Sequence, residues 1–194
     1  PIYLEYSWHT AHYYVRIWVY RLDRSNNRGL KTMKQKICCF TGHRQLPDRD
    51  RNQIERKLES SIEFLIQSGY LYFGTGGALG FDTLAAKTIL QLRKRYPQIK
   101  LILVLPCVSQ ADRWPPADIA TYQEIMEQAD KVVYTSQKYT RDCMFKRNRH
   151  LVDYSSACIC YLNKETGGTA YTVKYAQKCG LQIINIAEGF SVAI

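Results

Sequence analysis

The sequence predicts an α/β fold, a three-layer sandwich in which helices cover both faces of a mostly parallel sheet of about six strands. Short apolar runs alternate with helical patterns from Ile37 onward, in the rhythm of a doubly wound sheet. The run from Leu101 to Leu105 is apolar throughout, which is typical of a central parallel strand. A glycine-rich loop follows one apolar run and opens directly onto a helix, which is typical of ligand-binding α/β proteins.

The predicted elements follow one another in a regular order. The first helix, from about Arg49 to Gln67, places its apolar residues on one stripe, and Gly69 is expected to end it. The second helix carries Leu84 and Leu92, and Pro97 marks its exit. The predicted strands span residues 37–41, 71–73, 101–105, 131–134, 157–162 and 182–186, and the remaining helices span about 119–128, 143–154 and 170–179.

The chain of 194 residues is expected to hold one domain, residues 33–194. Residues 1–32 are rich in Tyr and Trp, and the first methionine is Met33. We therefore interpret residues 1–32 as an N-terminal extension outside the native domain, the rival interpretation being a short amphipathic arm that packs on it.

Composition narrows the class of protein. The longest apolar runs are far shorter than the roughly 18 residues of a membrane span, so a cytoplasmic protein without a membrane partner is expected. The seven cysteines form no C-x-x-C pair, which favours reduced core thiols and no metal site. The formal charge of +10 would attract phosphate-bearing partners but does not distinguish a nucleotide from a nucleic acid. A basic and aromatic stretch, residues 138–141 with the following helix, is only a weak signal for nucleic acid.

The glycine-rich loop predicts an anion site. Glycines let the backbone approach a ligand closely, and the first turn of a helix offers unpaired N–H groups to a phosphate. The spacing of Gly74, Gly76 and Gly80 matches neither the dinucleotide fingerprint nor a P-loop, which disfavours a standard NAD dehydrogenase and a Walker-type ATPase. The alternative is a tight strand-to-helix turn with Asp82 as an ordinary N-cap.

Other segments that follow strands are also polar, and ligands in parallel sheets bind beyond the carboxyl ends of the strands. Arg44 could hold a phosphate or pair with a surface carboxylate. His43 is a weak candidate for a general base, because no carboxylate nearby in the sequence orients it. Asn148 shares the apolar face of its helix, so Arg147 and Asn148 could reach the crevice, unless Asn148 merely ties down a loop backbone.

Four motifs together carry a resemblance to a known family. They are Thr41-Gly42-His43-Arg44, Gly76-Gly77-Ala78-Leu79-Gly80-Phe81-Asp82, Arg147-Asn148 with Val152-Asp153, and Gly167-Gly168-Thr169. From Met33 to about Glu188 the chain resembles the YpsA-like branch of the SLOG superfamily, a bacterial Rossmann-like group that includes DprA and LOG proteins. The resemblance implies a Rossmann-like fold that binds a nucleotide or a nucleotide derivative in the glycine-lined crevice.

The sequence differs from the LOG and DprA branches in ways that bear on whether it cleaves or binds a nucleotide or nucleic acid. LOG phosphoribohydrolases carry a catalytic Glu after the corresponding glycine-rich turn, and the turn at Gly167 and Gly168 lacks it. Glu165 or Asp153 would have to substitute for that acid. DprA binds single-stranded DNA, but its additional domains have no counterpart in a chain of this length.

The leading hypothesis is a cytoplasmic sensor or regulatory protein that binds a nucleotide, NAD or an ADP-ribose-like ligand. In it Gly76, Gly77 and Gly80 cradle phosphate and Arg44 neutralises it, while Asp82 caps the helix or holds a ribose hydroxyl and Thr169 adds a second polar anchor. An N-glycosidase-like nucleotide hydrolase and a DprA-like nucleic-acid binder are the alternatives, and a homo-oligomer is left open. The full set of predicted ligand-binding residues is Thr41, Gly42, His43, Arg44, Gly76, Gly77, Ala78, Gly80, Asp82, Arg147, Asn148, Gly167, Gly168 and Thr169.

Overall fold

The computed structural model describes residues 36–187 and shows the α/β sandwich expected from the sequence. Six strands form one sheet: β1 (Ile37–Gly42), β2 (Tyr72–Thr75), β3 (Lys100–Leu105), β4 (Lys131–Tyr134), β5 (Ala157–Tyr161) and β6 (Gln182–Asn185). Five α-helices connect them: α1 (Arg51–Gln67), α2 (Phe81–Leu92), α3 (Pro116–Gln128), α4 (Cys143–Asp153) and α5 (Gly168–Lys178). The interpretation of residues 1–32 falls outside the described residues.

All six strands are parallel, in the order β4-β3-β2-β1-β5-β6. Strands β2, β3 and β4 follow one another on one side of β1, and β5 and β6 lie on its other side. The register places Cys39 opposite Gly74 of β2 and Cys158 of β5, so β1 lies at the centre of the sheet. The junction between β1 and β5 is therefore the point where the strand order reverses.

The two faces of the sheet carry separate cores. Helices α1, α2 and α3 pack against one face around Phe40, Phe73 and Leu103, which are at most 2% exposed. Helices α4 and α5 cover the other face around Cys39, Val104 and Cys158. None of the helices in residues 36–187 is both long and apolar enough to cross a bilayer.

Element boundaries differ from the predicted ones mainly at helix starts. The predicted first helix begins instead as a 3-10 turn at Asp48–Asp50, and regular α-helix starts at Arg51. Helix α3 begins at Pro116 rather than near Ile119, because a proline in the first turn loses no helical hydrogen bond. Six of the seven cysteines are buried, and Cys179 is exposed.

Candidate functional site

The carboxyl ends of β1 and β5 meet where the strand order reverses, which is called the switch point of the sheet. The register pairs Gly42, the last residue of β1, with Tyr161, the last residue of β5. The segments that leave these two strands diverge, one toward α1 and the other toward α5. In parallel sheets this divergence opens a crevice that ligands occupy.

A cavity of about 850 Å³ lies at this point, beside the first half of α1. Its volume falls within the range of small-molecule sites in proteins. It is lined by the β1–α1 segment, by α1 and by the ends of β5 and β6: His43, Arg44, Gln45, Leu46, Pro47, Arg49, Asp50, Gln53, Ile54, Lys57, Tyr161, Asn163, Lys164, Ile186 and Ala187.

The charge of this cavity is strongly positive. Arg44, Arg49, Lys57 and Lys164 line it, and Asp50 is the one acid among its lining residues. Arg49 lies 3.5 Å from the Asp50 carboxylate, but its side chain is 87% exposed, so the pair is weak. The arrangement suits an anion, because arginine binds phosphate through two hydrogen bonds and lysine adds a point charge.

His43 forms part of the cavity wall as a largely neutral ring. Burial lowers its pKa, and the nearby Lys164 ammonium lowers it further. The ring Nε2 accepts a hydrogen bond from the backbone N–H of Asn163 at 3.4 Å, and the ring meets Tyr161 edge-on. These contacts give the His43 ring a structural role, because they hold the segment that contains Asn163. His43 therefore remains only a weak candidate for a general base.

Asn185 fixes the segment that follows β5. Its Oδ1 accepts a hydrogen bond from the Leu162 N–H at 3.0 Å and one from the Ala187 N–H at 3.2 Å. Its Nδ2 donates to the Leu162 carbonyl at 3.0 Å. One side chain therefore sets the path of the backbone that carries Asn163 and Lys164 into the cavity.

The glycine loop is packed more tightly than the sequence predicts. Gly76, Gly77 and Ala78 are buried. The Arg147 guanidinium lies where a Cβ at Gly76 would be, and Leu105 lies 2.7 Å from the position of a Cβ at Gly77. Gln110 Nε2 donates a hydrogen bond to the Gly77 carbonyl at 2.7 Å. The space beside Gly76 and Gly77 is thus filled by other side chains of the protein. A phosphate cradle at these two glycines stays a prediction.

Arg147 and Asp82 form a buried ion pair beneath this loop. Arg147 Nη1 lies 3.2 Å from Asp82 Oδ2, and both side chains are less than a tenth exposed. Asp82 also accepts a hydrogen bond from the Ala78 N–H at 3.3 Å, while Gly80 is the N-cap of α2. Burial raises the pKa of the Asp82 carboxyl, and the Arg147 guanidinium opposes that shift. Asp82 therefore braces the loop from the first turn of α2.

Gly80 and Gly42 join the glycine loop to the β1 segment. A Cβ at Gly80 would lie 2.2 Å from the Arg44 carbonyl oxygen, and a Cβ at Gly42 would lie 2.4 Å from the Phe81 ring. The Phe81 N–H donates to the His43 carbonyl at 3.1 Å. The glycine loop thus packs against the backbone of His43 and Arg44, and none of its residues lines the cavity.

The second glycine-rich turn is open. Gly167 and Gly168 are exposed, and apart from the adjoining backbone no atom of residues 36–187 lies within 4 Å of where their Cβ atoms would be. Thr169 is buried at 8% exposure, as is Thr41 in β1. Asn148 donates from Nδ2 to Thr172 Oγ1 at 2.8 Å, so it ties α4 to α5 rather than to a loop backbone.

The two acids considered for catalysis lie apart. Glu165 is exposed in the segment after β5, at the cavity edge of the sheet. Asp153 is the last residue of α4, which runs back to the opposite edge, and it accepts a hydrogen bond from Tyr175 Oη at 2.8 Å. The structure therefore does not bring Asp153 to the crevice.

Only part of the predicted site faces the cavity. His43 and Arg44 line it, whereas Gly76, Gly77, Gly80, Asp82 and Arg147 lie outside its lining, in the packed glycine loop and the ion pair beside it. Lys164 lies in the polar segment that follows β5, where ligand contacts are expected. Arg49 lies in the 3-10 turn before α1, and Gln53 and Lys57 lie on the charged first half of that helix. Their one signal in the sequence is their spacing near the start of α1, and this spacing does not reveal which side faces the sheet edge.

Comparisons with known proteins agree with this architecture. A family model described as the YspA SLOG family matches residues 38–185. The uncharacterised SPbeta prophage-derived protein YoqJ of Bacillus subtilis is 29% identical over 139 residues, 65% of this chain and 81% of YoqJ. A UPF0398 protein of Halalkalibacterium halodurans is 29% identical over 128 residues, 64% of this chain and 68% of that protein.

Two solved structures share the fold. DNA processing protein A (DprA) from Streptococcus pneumoniae superimposes with a TM-score of 0.57 at 19% identity, covering 78% of this chain and 50% of its own. The chain therefore spans half the length of that protein. The Helicobacter pylori DprA, which has a single-stranded DNA binding mode, has a TM-score of 0.55 at 18% identity and covers 82% of this chain and 67% of its own. The family match covers most of the chain, so this protein belongs to the YspA SLOG family.

Proposed function

We propose that this protein binds a nucleotide or a nucleotide derivative, such as NAD or ADP-ribose, in the cavity between β1, β5 and α1, and that it acts as a sensor or regulatory protein. The observation that carries the proposal is a cavity of about 850 Å³ at the switch point with four cationic side chains and one acid in its lining. A ligand with phosphate groups and flat rings matches that combination of charge and size.

In this proposal the phosphates lie between the two divergent segments. Arg44 from the β1 side and Lys164 from the β5 side neutralise them, and Lys57 contributes from α1. Such a ligand would bridge segments 43–50 and 163–167, which are joined in the structure by the contact of His43 with Asn163. Binding would then fix the relative position of the two segments, which is the change that a sensor needs to report.

A hydrolase is less well supported. Cleavage of an N-glycosidic bond needs an acid or base within hydrogen-bond reach of the bond. Asp153 lies at the opposite edge of the sheet, and Glu165 is exposed outside the cavity lining. Chromatography for free base after incubation with nucleoside monophosphates tests this alternative directly.

A thermal-shift screen tests the proposal. The panel contains AMP, ADP, NAD and ADP-ribose. A single-stranded oligothymidylate is tested separately as the alternative class of ligand, because the H. pylori DprA binds single-stranded DNA. A ligand at 100 times its dissociation constant adds about 2.7 kcal/mol to the free energy of unfolding. We expect a shift with at least one nucleotide, and a loss of that shift in Arg44→Ala and in Lys164→Ala.

Arg56→Ala is the matched control, because Arg56 is exposed on α1 but is not among the residues that line the cavity. A shift that persists unchanged in both cavity variants would contradict the proposed site. The absence of a shift with every nucleotide of the panel would contradict the proposed ligand class.

A further inference from the structure

The outer surface of α4 and α5 holds aromatic and cationic side chains that the proposed function does not use. The α4–α5 surface consists of Phe145, Lys146, Arg149, Tyr171, Lys174 and Tyr175. Phe145 and Arg149 are one helical turn apart on α4, and Tyr171 and Tyr175 are one turn apart on α5. The two helices thus present a continuous strip on the face of the molecule formed by α4 and α5.

The rings and cations of this strip contact one another. The Phe145 and Tyr171 rings meet edge-to-face with centroids 5.0 Å apart, and Phe145 remains 46% exposed. Arg149 Nε donates to Tyr171 Oη at 2.9 Å, and its guanidinium lies 5.4 Å from the centre of the Tyr175 ring. The aromatic side chains are therefore held in place, while part of the Phe145 ring faces solvent.

Charge is unevenly divided between the two helical layers. Outside the buried Arg147–Asp82 pair, helices α4 and α5 carry four cationic residues and one acid: Lys146, Arg149, Lys174 and Lys178 against Asp153. On the same basis helices α1, α2 and α3 carry four cationic residues and six acids: Arg51, Arg56, Lys57 and Lys87 against Glu55, Glu59, Glu63, Asp118, Glu124 and Glu127. The two helices that carry the exposed aromatic strip thus have a net positive charge, whereas the three helices of the other layer have a net negative charge.

The segment that leads into α4 extends the same chemistry. Lys138 and Arg141 are exposed there, and Tyr139 is 65% exposed. Tyr139 thus adds an exposed ring beside two exposed cations, while Asp142 in the same segment pairs with Lys146 at 2.9 Å.

We propose that the α4–α5 surface binds single-stranded nucleic acid. Exposed rings stack on unpaired bases, which have a flat face whatever their sequence, and the flanking lysines and arginines follow the phosphodiester backbone. A duplex hides its bases from such rings, and an acidic peptide offers charge without flat faces. The surface lies on the α4 and α5 layer, whereas the nucleotide cavity is flanked by α1, so the two proposals stand or fall separately.

Fluorescence anisotropy with labelled 20-nucleotide oligothymidylate and oligouridylate tests this, with a duplex of equal length and polyglutamate as competitors. We expect both single strands to bind the full chain, with affinity falling as salt rises. Phe145→Ala should weaken binding about five-fold or more, since loss of one stacking ring has that effect or a larger one. Lys174→Glu should weaken it about ten-fold and make the salt dependence shallower.

The chain offers matched controls on the opposite layer. Phe64 on α1 is 54% exposed, so Phe64→Ala removes a ring at least as exposed as Phe145, and Lys94→Glu reverses an exposed charge just beyond α2. Both should leave the affinity within two-fold of the parent. Circular dichroism checks folding, and Lys174→Glu decides the matter if Phe145→Ala does not fold.

Three results would overturn the proposal. They are the absence of binding at 50 mM salt, equal losses in the Phe64 and Phe145 variants, and a duplex or polyglutamate that competes as well as the unlabelled single strand. The last result would assign the surface to a general polyanion or to an acidic protein.

Discussion

At the scale of single residues, the candidate site depends on a glycine that lies behind it. Gly80 has φ +77°, and a Cβ there would meet the Arg44 carbonyl oxygen at 2.2 Å. Both the positive φ and the close approach restrict this position to glycine. The backbone of Arg44 therefore packs closely against Gly80, which does not line the cavity.

Gly80→Ala should destabilise the protein by about 3 kcal/mol or more, because strain and a backbone clash add together. Gly180→Ala is the control, since Gly180 also has a positive φ, +74°, but apart from its chain neighbours no atom of residues 36–187 lies within 4 Å of its missing Cβ. That variant should lose only about 1 kcal/mol. Urea denaturation measures both, and equal losses would show that the contact with Arg44 does not constrain the fold.

His43 makes stability depend on pH in a defined direction. Burial and Lys164 hold its folded-state pKa below the ordinary 6.5. Between those two pKa values the unfolded chain binds more protons than the folded chain, so the free energy of unfolding falls as pH drops below about 7 and the loss is complete below the folded-state pKa.

The variant His43→Gln keeps an acceptor for the Asn163 N–H but does not titrate. We expect it to lose less stability than the parent between pH 7 and pH 5. Parallel denaturation curves for the two proteins across this range would refute the assignment, because the other histidines are common to both.

At the scale of elements, the strand and helix order could be predicted from the sequence, because apolar runs such as Leu101 to Leu105 leave little alternative to a buried strand. The polar ends of β1 and β5 could be placed at one edge, because the carboxyl ends of parallel strands meet at the same edge of a sheet. The packing of Arg147 on Gly76 could not be predicted, since it depends on the distance between α4 and β2. Likewise, the side of α1 that places Lys57 in the cavity follows from how the helix docks, not from its periodicity alone.

The Arg147–Asp82 pair ties α4 to the start of α2. Removing either partner leaves a charge buried alone, so Arg147→Ala and Asp82→Ala should each cost about 3–5 kcal/mol. The double variant should cost clearly less than the sum, as a double-mutant cycle in urea would reveal. Arg95→Ala, which breaks a half-exposed pairing with Glu59 and Glu63, should cost less than about 1 kcal/mol. Additive losses at Arg147 and Asp82 would contradict a direct coupling.

Asn185 ties the ends of β5 and β6 to each other beside the cavity. Asn185→Ala leaves the Leu162 N–H and C=O without their side-chain partner and should cost about 2 kcal/mol. It should also weaken nucleotide binding, because Asn163 and Lys164 follow Leu162. Full affinity in a variant that has lost this stability would show that the β5 segment takes no part in binding.

At the scale of the whole molecule, one sheet separates two surfaces of different chemistry. The layer of α1, α2 and α3 is rich in acids and flanks the basic cavity at the switch point, while the layer of α4 and α5 is basic and aromatic. The formal charge of +10 says only that phosphate-bearing ligands are favoured. The distribution of this charge over the fold favours a nucleotide in the cavity and single-stranded nucleic acid on the α4–α5 surface.

The most direct test of the central claim is an amide NMR titration of the protein with the nucleotide that gives the largest thermal shift. If the cavity at the switch point is the binding site, the largest shift changes should fall on residues 43–50 and 163–167 and should saturate, and Arg44→Ala should reduce them. Changes centred on residues 76–82 and 147, with residues 43–50 unaffected, would place the ligand at the glycine loop and contradict the site proposed for it.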